Sequence, residues 1–206
     1  MASGTTKDKI LELLKKEVTL TVNDLTNLLN ITHMAVRKHL NMLERDGLIQ
    51  SREVKQSMGR PLQTFSLSEK GERLFPKNYE GMSVEFLKDI KDLHGEDAIY
   101  YLFKKREARQ TQSSLVRMEY KSNEEKINEM VNIQNEKGYM ADVSQIDDTT
   151  YEITEYNCPI LAVAKEFKVA CHCETDMFKN VLETDKVKRT CCKTEGNAHC
   201  KFLIQF

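Results

Sequence analysis

Between Thr21 and Leu67 the apolar spacing changes from helical to strand-like in an order that few folds accommodate. Thr21 has the character of an N-cap, with Asp24 three residues on as a variant of the capping box. The helix it opens runs through Val22, Leu25, Leu28 and Leu29. Asn30 and Ile31 form a tight turn, and Thr32 caps a second helix with Val36, Leu40 and Leu43 at helical spacing. That helix stops near Asp46-Gly47, where glycine suits the left-handed position after a helix end. Leu48–Val54 then reads as a strand, Gln56–Pro61 as a turn and Leu62–Leu67 as the return strand. Ser68 caps a further helix, SEKGERLF. Ahead of all this, Ile10, Leu13 and Leu14 mark one face of a helix that begins at Thr6.

Two helices joined by a short turn, the second rich in exposed polar residues, make a helix-turn-helix, and the hairpin after it makes a wing. The polar face of the second helix offers His33, Arg37, Lys38 and Asn41. Arginine and lysine reach guanine edges or phosphates, and asparagine reads adenine. Arg60 falls at the wing tip, stiffened by Pro61, where an arginine can enter a narrow minor groove. These five residues are the expected DNA-binding set. Residues 1–80 carry 13 Lys/Arg against 10 Asp/Glu, whereas the remainder carries 18 against 22, so the basic excess lies on the side of the helix-turn-helix. The runs DLTNLLNITHMAVRKHLNMLERDGLI and GRPLQTFSLSEKG resemble winged-helix bacterial repressors of the ArsR, MarR and DeoR-like kinds.

After a linker at Pro76–Gly81, three helical patterns follow, from Val84, from Asp97 to about Tyr120, and from Ser122 to Gly138. Helices in this position are expected to form a homodimer, whose twofold axis matches two half-sites of a double-stranded DNA operator. The charged run Lys104–Arg109 reads as a solvated helix face.

All six cysteines fall in the last 49 residues, at Cys158, Cys171, Cys173, Cys191, Cys192 and Cys200. No apolar run is long enough for a membrane helix, and MASGTTKDKI lacks a secretory pattern, so a cytoplasmic location is expected. In a reducing compartment such crowding points to metal or redox chemistry rather than disulfides. Tyr139–Ile146 and Thr150–Tyr156 read as a hairpin. Pro159 is expected at the first position of a helix PILAVAKEF, which places Cys158 at its N-cap. The next helix is expected to begin near Cys171, and helix N-termini favour thiolates. Strands are expected at Val187–Lys193 and Lys201–Phe206, and Cys200 shares one strand face with Phe202, Ile204 and Phe206. The expected metal ligands are therefore Cys158, Cys171 and Cys200. The fourth place is open to Cys192, Cys191, Cys173, His172 or a group from outside the protein. The spacing lacks paired CxxC units of structural zinc and the short run of bacterial ferredoxins, so it does not choose the metal.

NCPILAVAKEFKVAC, CHCETDMFKNVL and EGNAHCKFLI resemble the C-terminal domain of SufR-type repressors of iron–sulfur assembly genes. The resemblance implies a [4Fe-4S] cluster on Cys158, Cys171 and Cys200 that sets DNA affinity. Cys173, Cys191 and Cys192 depart from that three-cysteine pattern and keep zinc or thiol switching as alternatives. The expected architecture is α+β: a winged helix at 1–76, a helical dimerisation segment at 82–138 and a small α+β sensor domain at 139–206. An enzyme using Cys158 as nucleophile is not expected. Only His172 and His199 are near it in sequence, and no Asp/His arrangement accompanies it.

Overall fold

The computed structural model describes residues 4–57 and 59–206. Met58, inside the expected wing turn, lies outside the described residues. The chain divides into two compact units, Met1–Lys77 and Asn78–Phe206. The middle helices therefore share a unit with the cysteine-rich segment.

In the first unit, helix α1 (Thr6–Glu17) leads into a short strand β1 (Leu20–Thr21), then α2 (Val22–Leu29) and α3 (His33–Arg45). The starts of α2 and α3 are both fixed by local chemistry. Thr21 accepts from the Asp24 amide while the Asp24 carboxylate takes the Thr21 N–H, a reciprocal capping box. Thr32 caps α3 at the Ala35 amide, 3.2 Å away. Asn30 turns the chain in the left-handed conformation. At the far end of α3, Gly47 at φ +72° lets Leu48 N–H reach Leu43 O and its own N–H reach Glu44 O, a Schellman closure. Strands β2 (Ile49–Val54) and β3 (Leu62–Leu67) form the hairpin, and β1 joins β3 to give the order β1-β3-β2. Ile10, Leu14, Leu25, Val36, Leu40, Leu43, Ile49 and Phe65 fill the core.

The helix after Ser68 is shorter than its sequence suggests. Helix α4 covers Glu69–Glu72 only, and tight turns from Leu74 N to Gly71 O and Phe75 N to Glu72 O replace it. Gly71 sits so close to the chain before β2 that a Cβ would stand 2.0 Å from Leu48 O.

The second unit begins with α5 (Tyr79–His94), α6 (Glu96–Leu115) and α7 (Asn123–Glu136). The expected linker is thus partly helical. Strands β4 (Ala141–Gln145) and β5 (Thr150–Glu155) follow, then α8 (Leu161–Glu166), α9 (Val169–Leu182), β6 (Val187–Cys191) and β7 (Cys200–Gln205). The sheet is antiparallel in the order β4-β5-β7-β6. Helices α7 and α9 pack on it through Ile127, Met130, Met177, Val181 and the stacked rings of Phe178 and Phe202, 4.4 Å apart. A second cluster joins Ile99 and Phe103 of α6 to Ala164, Phe167, Ala170 and Cys173. No helix among the described residues is long and apolar enough to cross a membrane.

Candidate DNA face and cysteine site

Helix α3 buries Val36, Leu40 and Leu43 and leaves the opposite side to solvent. His33, Arg37, Lys38 and Asn41 all lie on that exposed side. Arg60 is exposed at the hairpin turn. The structure brings Arg37 and Arg60 together, because both line one surface cleft of about 390 Å³ with Asn23, Glu53 and Gln63. An arginine from the second helix and one from the wing therefore face the same space, with Asn23 and Gln63 beside them.

The cysteines sort into three groups. Cys173 is buried among Ile99, Phe103, Ala164 and Phe167 and acts as a small apolar side chain. Cys191 is half-buried, and its thiol points to His199 O at 3.5 Å. Cys171, Cys192 and Cys200 converge: Cys192 Sγ lies 3.9 Å from Cys171 Sγ and 4.0 Å from Cys200 Sγ. His172 is exposed and lines the cleft of about 490 Å³ onto which Cys171 and Cys192 open.

A bulge explains why Cys192 and not Cys191 joins the group. On a regular strand Arg189 and Cys191 would share a face. Between them the register slips: Arg189 pairs with Phe202 and Cys191 with Lys201. The extra residue turns Cys191 away and puts Cys192 on the side of Arg189, Cys200 and Phe202.

Cys158 is not the N-cap of a helix, contrary to the sequence expectation. Cys158 O accepts from Leu161 N in a tight turn, and α8 starts at Leu161 with Ile160 as its cap. Helix α9 starts at Val169, so Cys171 lies inside its first turn. Nor do helix ends lower these two thiols. Burial pushes Cys158 up, against a hydrogen bond from the Ile160 amide, and burial pushes Cys171 up to about 11 and Cys200 up to about 12. Cys192 alone comes down, to about 7. Burial opposes its ionisation, but hydrogen bonds from Thr194, at 3.2 Å through its hydroxyl, and from Arg189, at 3.5 Å, outweigh it.

Lysines tie the loop of Cys192 to its surroundings. Lys193 Nζ donates to Tyr156 O and Ala198 O at 2.9 and 3.0 Å, which draws the loop to the segment before Cys158. Lys168 Nζ donates to Thr194 O at 2.8 Å. Cys158 feels the charge of Cys192, Glu155 and Glu174. Glu155 is 1 % exposed and takes a 2.6 Å bond from Gln134 Nε2, and burial raises its pKa well above the usual carboxylate range.

No three His, Cys, Asp or Glu donors among the described residues already surround one metal position. The sulfurs form a chain, held by Thr194, Arg189 and the Lys193 amide, which donates to Cys200 Sγ at 3.3 Å. The donor chemistry nonetheless fits a soft, thiolate-bound centre: the sulfurs of Cys171, Cys192 and Cys200 stand in a row, 3.9 and 4.0 Å apart. Arg189, Thr194 and the choice of Cys192 were missing from the sequence reading. The bulge that selects them leaves no period in the sequence.

Residues 7–52 match the DeoR-like helix-turn-helix domain. No curated protein matches the chain. Among solved structures, Bacillus subtilis PadR in complex with operator DNA is similar at 18% identity, over 65% of this chain and 92% of that chain, with a TM-score of 0.31. The chain thus carries a DNA-binding helix-turn-helix of the DeoR-like kind in an α+β fold, and it is a transcriptional regulator.

Proposed function

We propose that the chain is a repressor that binds its operator as a homodimer, with DNA affinity governed by a [4Fe-4S] cluster held by Cys158, Cys171, Cys192 and Cys200. Its targets on this reading are iron–sulfur assembly genes, as the resemblance to SufR-type repressors implies. The observation that carries a thiolate-bound centre is the convergence of Cys171, Cys192 and Cys200, with sulfurs 3.9 and 4.0 Å apart; the cluster as its occupant, and Cys158 as its fourth ligand, rest on the resemblance. When bound, the cluster would join four segments through their sulfurs. The protein's own part is to hold those segments ready: α9 presents Cys171, β7 presents Cys200, and the bulged end of β6 presents Cys192.

A single tetrahedral zinc is the second reading. Zinc–sulfur bonds of about 2.3 Å place neighbouring sulfurs roughly 3.8 Å apart, close to the spacing seen, whereas thiolates on separate irons stand wider. Iron, acid-labile sulfide and zinc measured after anaerobic purification separate the two. Near-equal iron and sulfide, about four of each per chain, is expected. Colourless protein with one zinc per chain would transfer the reading to zinc, and protein with neither would remove it.

The dimer contact on this reading runs along α5, which has no buried residue. Tyr79, Met82, Phe86 and Leu93 are 43–76 % exposed and fall within about 40° of one line on the helix. Tyr79 and Leu93 stand equally far before and after Phe86, so the stripe complements an antiparallel copy of itself, as a twofold interface requires. Sedimentation at one chain mass would eliminate this part.

A further inference from the structure

One cationic side chain among the described residues has its donors on the sulfurs. Arg189 is largely buried, with 13 % of its side chain exposed. Its Nη1 points at Cys192 Sγ and Cys200 Sγ, at 3.5 and 3.9 Å. Nη2 donates to Cys171 O at 2.8 Å and to Glu174 Oε2 at 2.9 Å, and Nε donates to Thr175 Oγ1 at 3.3 Å. The guanidinium lies over the Phe202 ring, 4.5 Å from its centroid. One planar group thus touches Cys171, Cys192 and Cys200, the first by its backbone and the other two by sulfur. It also joins strand β6 to helix α9.

We propose that Arg189 is the positioning residue and counter-charge of the sulfur site. The proposal rests on the reading that these cysteines hold a metal centre. Four thiolates around a divalent ion or a dicationic cluster leave two negative charges, in surroundings that already contain the Glu174 carboxylate. Uncompensated charge in a half-buried place is costly, and a fixed guanidinium offsets it without solvent. The five bonds and the stacked ring prevent Arg189 from swinging out, so the compensation stands before a metal arrives. Nη1 holds Cys192 and Cys200 as a pair, and Nη2, the other prong of the fork, holds Cys171 by its carbonyl. Glu174 shares the same cation and so limits how much of its charge reaches the sulfurs.

The signs of three variants test this. The probe is Co2+ added anaerobically to the full-length metal-free protein, followed by thiolate-to-cobalt charge-transfer absorption. Arg189→Gln removes the charge and is expected to weaken binding about tenfold or more, the usual scale for a partner just outside the ligands. Arg189→Lys keeps the charge without the fork; it should recover most of the affinity but show an altered absorption spectrum. Glu174→Gln frees Arg189 from its carboxylate and should tighten binding, a gain that a merely structural salt bridge would not give. Circular dichroism of each metal-free variant checks folding, and if Arg189→Gln does not fold, the sign of Glu174→Gln decides. Equal affinity in Arg189→Gln and the wild type would overturn the proposal, as would equal losses in the Gln and Lys variants or weaker binding in Glu174→Gln. Wild-type protein that gives no charge-transfer band would instead overturn the metal reading beneath it.

Discussion

Glu155 shows how one buried residue writes pH dependence into the second unit. In the unfolded chain its carboxyl ionises near the ordinary value, about 4.3. In the folded unit burial first, and then repulsion from Glu174, hold the proton on. The folded state therefore binds that proton more tightly than the unfolded one. The stability this contributes is complete below about pH 4 and is lost as pH rises through the raised pKa. Glu155→Gln keeps the acceptor for Gln134 Nε2, at 2.6 Å in the wild type, and removes the titration. The variant should gain in melting temperature over the wild type as pH goes from about 5 to about 8. A difference that stays constant over that range would contradict the assignment of Glu155 as a buried, proton-retaining acid. The cysteines obey the same competition. Desolvation dominates at Cys158, Cys171 and Cys200, and hydrogen bonding from Thr194 and Arg189 dominates only at Cys192.

At the scale of elements, the wing and the second helix act as one surface. Arg37 belongs to α3 and Arg60 to the turn between β2 and β3, yet both line the same cleft. Arg37→Ala and Arg60→Ala should each weaken binding to DNA from the protein's own promoter and flatten its salt dependence, each lost phosphate contact lowering the log–log slope by roughly 0.9. Thermal unfolding should be unchanged, since both side chains are exposed. Wild-type affinity in both variants, measured by fluorescence anisotropy, would remove the DNA face from this position. The first unit was legible because its signals are local. Thr21 with Asp24, Thr32, and Gly47 each fix an end within four residues. The site in the second unit was legible only in part. The inward face of Cys200 follows from alternation along β7. The start of α8 was misplaced, because the turn from Cys158 O to Leu161 N delays the helix past Pro159. The choice of Cys192 over Cys191 depends on a register slip against β7, a contact between strands that no local pattern announces.

At the scale of the whole molecule, the two compact units divide the chemistry. Met1–Lys77 carries the arginine pair, and Asn78–Phe206 carries the sulfurs and the exposed stripe of α5. On the proposed function, the state of the sulfur site governs the hold on DNA. The most direct measurement is the affinity of loaded and metal-free protein for the same promoter duplex, taken anaerobically in one buffer at fixed salt. Loaded protein is expected to bind at least about tenfold more tightly, a coupling near 1.4 kcal/mol, and a Cys192→Ser variant carried through the same loading to bind like the metal-free form. Equal affinities for loaded and metal-free wild type would contradict it.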